Sequence, residues 1–124
     1  MAHFELRSIV LDAPDVRALG EFYQRLLGWP VTSDPDDPTW MRIASADGGT
    51  GLAVQYEPHY RSPVWPADST HEQMQLHLDL KVDDVPAACR HAEAVGARLA
   101  EFQPQDDVRV YLDPVGHPFC IFEN

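Results

Sequence analysis

Apolar positions along the first quarter of the chain change period, and the change marks out elements. Residues from about Phe4 to Leu11 are rich in apolar and β-branched types, which predicts a strand ending at the "DAPD" turn. Beyond it, Val16, Leu19, Phe22, Tyr23, Leu26 and Leu27 recur at the spacing of one helical face. Asp15 stands where an N-cap is needed and Gly28 where a helix stops. "WPV" then starts a short strand, "DPDDP" is a turn, "WMRIA" is a strand, and "ADGG" turns the chain into the returning strand "GLAVQYE".

The second half repeats this order. In "MQLHLDLKV", Leu76, Leu78, Leu80 and Val82 share one face, while Gln75, His77, Asp79 and Lys81 share the other. Asp84 is placed to cap a helix with Pro86 in its first turn. That helix runs through Ala87, Ala88, His91, Ala92 and Val95 to Gly96. "ARLAEFQ", "VRVYLD" and "PFCIFE" supply three more strands, the last two joined by the tight turn "DPVGH". Aligning Val16 with Val85 gives an offset of 85 − 16 = 69, and Gly28 and Gly96 fall within one residue of it at 96 − 28 = 68. The repeat is one of pattern rather than identity. It predicts an α+β fold of two tandem βαβββ modules whose curved mixed sheets face each other around a cavity.

One domain over 1–124 is expected, with a first module at 1–57, a linker at 58–72 and a second module at 73–124. The linker region "PHYRSPVWPADSTHEQ" has three prolines and the aromatic residues Tyr60 and Trp65. It reads either as a lid that carries Tyr60 and Trp65 over the cavity mouth or as a connector with those rings tucked against a sheet. Charge narrows the partners. Twenty acidic residues against nine basic ones give a net charge of −11, which repels nucleic acid and anionic membranes. The same field favours a neutral or cationic small molecule, or serves solubility alone. No stretch approaches the roughly 18 apolar residues of a membrane span, so a cytoplasmic protein is expected. Cys89 and Cys120 are too few for a disulfide framework and read as reduced thiols.

Four segments in order, "FYQRLLGW", "VWP", "HLDLKVDDV" and "DPVGHPFC", resemble the vicinal-oxygen-chelate superfamily. Its glyoxalase-like branch, with bleomycin-resistance proteins and extradiol dioxygenases, is the most similar. The resemblance spans nearly the whole chain. It implies a divalent-metal ligand on the first and last strand of each module. These positions are Ser8 and Gln55 in the first module and His77 and Cys120 in the second. Cys120 stands where related sequences carry glutamate, so only His77 is retained as a strong ligand. One imidazole does not hold Mg²⁺ or Mn²⁺. The expectation is therefore no metal cofactor, with a divalent metal as the alternative and His77, Cys120, Gln55 and Glu123 as weak ligand candidates. Glu123 enters only if the last strand is shifted or bulged.

His77 lies opposite the core leucines and so points into the expected cavity. There it is a ligand, a general acid or base, or a hydrogen-bond donor; otherwise it is a structural histidine bonded to Asp79. Gln55, Tyr60, Trp65, Gln75, Arg109, Tyr111 and Cys120 join it as candidate ligand-binding residues, with Arg109 and Tyr111 expected on the interior face beside Cys120. Arg109 then meets a carboxylate or an anionic ligand group. Cys120 is a nucleophile if its pKa is depressed, and a small packing residue otherwise. His117 is expected to bond the turn backbone. The combined reading is a homodimeric glyoxalase-like protein that sequesters a small, cationic natural product. The alternative is a lyase, isomerase or dioxygenase-type enzyme working through His77.

Overall fold

The structure is a computed structural model that describes residues 2–123. The chain divides into two compact units at Tyr60 and Arg61, inside the stretch read as a linker. In the first unit the order is β1 (Ser8–Ala13), α1 (Val16–Leu27), β2 (Trp40–Ile43) and β3 (Gly51–Tyr56). The second contains β4 (Leu78–Lys81), α2 (Val85–Ala94), β5 (Arg98–Leu99), β6 (Val108–Leu112) and β7 (Pro118–Phe122).

Both sheets are mixed and built on one plan. The first has the order β1-β3-β2 and the second β4-β7-β6-β5, so the first and last strands of each unit are neighbours. Those neighbours are parallel, and every other pairing is antiparallel. The strand expected at "WPV" shrinks to a single bridge between Val31 and Ile43, in the place that β5 takes in the second sheet. A parallel pair cannot be closed by a hairpin, and the helix that follows the first strand provides part of the crossover.

Both helices begin where the capping residues place them. Asp15 accepts from the Ala18 amide and Asp84 from the Ala87 amide, each at 3.1 Å. The two caps are 84 − 15 = 69 residues apart. Gly28 ends α1 in the left-handed region at φ 69° and donates to the Gln24 carbonyl. Helix α1 buries Val16, Leu19, Phe22 and Tyr23, and Gly20 lets Met41 of β2 come close. Around them Leu11, Ile43, Leu52 and Val54 complete the first core. The second unit buries Ala92, Tyr111, Phe119 and Ile121, with the Tyr111 and Phe119 rings stacked at 6.0 Å.

Three expected strands are shorter than their patterns. Phe4 and Leu6 are 90% and 68% exposed, and β1 starts only at Ser8. Leu76 is likewise exposed and precedes β4, and "ARLAEFQ" contributes just Arg98 and Leu99. Alternation marks which face a side chain takes, but a ladder forms only where a partner strand is present.

One glycine is required by approach rather than by dihedral. A Cβ on Gly51 would lie 2.6 Å from the Ile43 carbonyl oxygen in the neighbouring strand. Gly51→Ala is therefore expected to destabilise the fold by about 1–3 kcal/mol through a backbone clash. Urea unfolding of the two proteins checks it, and an unchanged midpoint would contradict the close packing of β2 on β3.

Candidate functional site

Because parallel pairing sets the register, it also decides which side chains meet. Leu78 lies opposite Phe119, Asp79 opposite Cys120 and Leu80 opposite Ile121. Phe119 and Ile121 belong to the buried core, so Asp79 and Cys120 share the other face. His77, two residues before Asp79, projects to the same side as Asp79, and its Nε2 lies 3.1 Å from Asp79 Oδ1. Donor atoms of His77, Asp79 and Cys120 all fall within 4.8 Å of one another. Imidazole, carboxylate and thiol thus form a compact group capable of holding a metal ion. The spacing His-x-Asp on one strand face is visible in the sequence and makes Asp79 a partner for His77. Its placement beside Cys120 depends on cross-strand register, which is not written in local spacing.

The electrostatics of the group bear on its chemistry. Burial pushes the Cys120 thiol above its ordinary pKa, and the charge of Asp79 and a hydrogen bond with it push the same way. A nucleophilic cysteine needs the opposite environment. Side chains of His77 and Asp79 are 40% and 60% exposed, so both are open to an incoming group.

Two expectations about the second sheet are corrected by the β6–β7 register. Val110, not Arg109 or Tyr111, lies opposite Cys120, while Tyr111 lies opposite Phe119 and Arg109 opposite Ile121. Arg109 and Tyr111 therefore occupy the face away from Cys120. Tyr111 is 1% exposed and donates to Glu93 of α2 at 2.6 Å. Burial, followed by contacts with Glu93 and Cys89, holds its hydroxyl protonated well above the usual tyrosine range. Arg109 Nη2 donates to the Gln105 and Asp106 carbonyls at 2.7 and 3.2 Å.

Glu123 is also placed otherwise than as a ligand. No shift or bulge carries it toward Cys120, since β7 pairs regularly with both neighbours through Phe122. Its Oε1 accepts from the Val85 amide at 2.9 Å, a favourable position for an anion at the start of α2. His117 bonds a side chain, with Nδ1 2.7 Å from Asp113 Oδ2. The fully buried Asp113 carboxylate also accepts from the Val115 and His117 amides and so fastens the turn before β7.

The remaining candidates are dispersed. In the first unit Gln55 donates to Asp12 Oδ1 at 2.8 Å, and Ser8 Oγ accepts from Arg42 Nε at 3.3 Å. With the 69-residue offset, Ser8 corresponds to His77 and Val10 to Asp79. The strand partner of Val10 is Ala53, so Ala53, and not Gln55, stands at the level of Cys120. Tyr60 closes the first unit, its amide donating to the Glu57 carbonyl. Gln75 is exposed, with Nε2 3.4 Å from the Gln73 carbonyl. Trp65 is tied down within the second unit. Its indole N–H donates to the Phe102 carbonyl at 3.0 Å, and the two rings lie 6.2 Å apart. The first unit also has a cleft of about 240 Å³ beside α1, lined in part by Arg17, Glu21, Gln24, Asp34 and Trp40, which the sequence pattern did not suggest.

The model of the glyoxalase-like domain family matches residues 8–122. The chain belongs to the glyoxalase-like family. Its relatives include the anthracycline biosynthesis protein DnrV of Streptomyces peucetius, 29% identical over 90% of this chain. The match covers 44% of DnrV, so the chain spans about half the length of that curated relative. TnmS3, an antibiotic-binding protein from Streptomyces sp. CB03234, has the same fold with a TM-score of 0.63 at 20% identity, over 99% of this chain and 98% of TnmS3. A variant of the fosfomycin resistance protein FosX from Listeria monocytogenes, in complex with Mn(II), aligns with a TM-score of 0.71 at 13% identity, over 100% of this chain and 94% of FosX. These structural likenesses bear on fold alone. Among the described residues of this glyoxalase-like protein, no helix is long and apolar enough to cross a membrane.

The raised Cys120 pKa gives a test. In a Cys89→Ser background, iodoacetamide is expected to modify Cys120 slowly at pH 8, and Asp79→Asn to move the pH profile of alkylation to lower pH. A profile unmoved by that substitution would separate Asp79 from the thiol.

Proposed function

We propose that this glyoxalase-like protein binds a small organic molecule of the aromatic natural-product class. The observation that carries the reading is the His77, Asp79 and Cys120 group on the sheet face away from the core of the second unit. It offers an imidazole and a carboxylate, both accessible, to the polar groups of a ligand. Trp65 and Phe102, an aromatic pair in the same unit with Phe102 49% exposed, supply flat apolar surface of the kind that polycyclic molecules stack on. The acidic balance of the chain favours a cationic ligand. Kinship with DnrV, an anthracycline biosynthesis protein, supports the same class. The protein acts as a homodimer in the cytoplasm, sequestering its ligand.

One observation favours a second reading. The 3.1 Å contact between His77 and Asp79 orients the imidazole, as a general acid or base requires. On this reading the protein is a lyase, isomerase or dioxygenase-type enzyme.

Titration with an anthracycline that carries an amino sugar tests the binding reading through the drug's own fluorescence. Saturable quenching is expected, weakened about tenfold in both Trp65→Ala and Asp79→Asn, which is the loss of about 1.4 kcal/mol. Absence of saturable binding to this and to a panel of cationic aromatic compounds would overturn it. Chemical change of the bound compound that stops in His77→Ala would favour the enzyme.

A further inference from the structure

We infer that the cleft of about 240 Å³ in the first unit is a binding site for a small organic ammonium ion with a compact apolar body. Every residue that lines it belongs to the first unit, whereas the His77 group lies in the second. One wall is α1, where Arg17, Glu21 and Gln24 recur at i, i+4 and i+7 along a single stripe. The other is the connection from Val31 to Pro38, and Val16, Val31 and Met41 add apolar surface. That connection is held in shape. Arg17 ties the helix to it by donating to the Pro35 carbonyl. Asp37 accepts from the amide and hydroxyl of Thr39 at 2.8 and 2.6 Å, Asp34 accepts from the Asp36 amide at 2.9 Å, and Pro30, Pro35 and Pro38 stiffen the backbone. A site fixed before binding loses less to ordering when a ligand enters.

Room is left here by one exchange between the units. Thr32 donates to the Arg42 carbonyl as Ala100 donates to the Val110 carbonyl, so Arg42 and Val110 occupy equivalent places. In the second unit the Val110 amide is met by Gln103 Oε1 at 2.8 Å, and Gln103 Nε2 also donates to the Ala100 and Val110 carbonyls. In the first unit the Arg42 amide is met by Ser33 Oγ at 2.9 Å. Serine satisfies the same amide with a much shorter side chain, and Ser33 lies on the cleft wall. The lining then selects the sign of the ligand. Glu21, Asp34 and Asp37 set three carboxylates against one guanidinium, which is engaged with the Pro35 carbonyl. Hydrogen bonds from Thr39 hold the Asp37 carboxyl below its ordinary pKa, so it is ionised at neutral pH. An ammonium group meets net negative charge, and its hydrocarbon body meets Met41 and the two valines. The volume lies below the roughly 300–1,000 Å³ of pockets for drug-sized molecules, which fits a single-ring or short-chain amine.

Phenethylamine titrated into the isotope-labelled full chain tests the site by amide NMR. Saturable shifts are expected at Arg17, Glu21, Gln24 and the segment 31–41, with a Kd of about 1 mM or tighter. Glu21→Gln and Asp37→Asn should each weaken binding about threefold, and the asparagine keeps an acceptor for Thr39. Ser33→Gln, which copies the second unit, should fill the cleft and weaken binding at least about tenfold while the rest of the amide spectrum is retained. Glu101→Gln makes the same charge change at an exposed residue of the second unit and should leave affinity unchanged. Phenethyl alcohol and phenylacetate should bind far more weakly. No saturable shifts at these amides, equal binding of phenethyl alcohol, preference for phenylacetate, or an affinity unmoved by both Glu21→Gln and Asp37→Asn would each overturn the proposal. The outcome is independent of the anthracycline titration, whose variants lie in the second unit.

Discussion

The parallel pairing of first and last strand in each unit is the constraint from which the rest follows. A parallel pair forces a long connection, and in both units a helix begins within four residues of the first strand's end. In the second sheet Phe119 and Ile121 lie in the core, while His77, Asp79 and Cys120 come together on the other face. A slip of one residue in β4 would send His77 and Asp79 into the core and Leu78 and Leu80 out of it. Burial of Phe119 and Ile121 opposite the two leucines is what forbids the slip. At about 25 cal/mol per Å² of apolar surface, exposing two such side chains costs several kcal/mol.

Where local chemistry governs, the sequence is legible. Asp15 and Asp84 cap their helices, Gly28 ends α1, and the paired caps reveal a duplicated plan before any contact is known. The order of the strands in both sheets fits that plan. Strand lengths were less legible, because "FELR" and "MQLH" alternate convincingly but lack partners along part of their length. Arg109 and Tyr111 lie on the face away from Cys120, and local pattern does not show it. Their strand alternates between two apolar faces, and a tyrosine whose hydroxyl meets Glu93 of α2 cannot be told by pattern from one that faces a ligand. Glu123 illustrates the same limit, since its partner is the amide of Val85, 38 residues earlier.

At the site, the chain departs from what the family resemblance implied. Cys120 stands where a carboxylate is expected, Ser8 and Gln55 stand at the first-unit positions, and Asp79 adds an oxygen donor beside His77. The result is a smaller, softer donor group confined to one sheet. Its acid–base character is set by proximity. Asp79 meets the imidazole and, after burial, helps raise the Cys120 thiol above its ordinary pKa.

The register of β4 against β7 is the point on which all of this turns, and cross-strand NOEs in isotope-labelled protein measure it directly. The account predicts contacts that link Leu78 with Phe119, Asp79 with Cys120 and Leu80 with Ile121. A ladder displaced by one residue, with Cys120 beside Leu78 or Leu80, would contradict it.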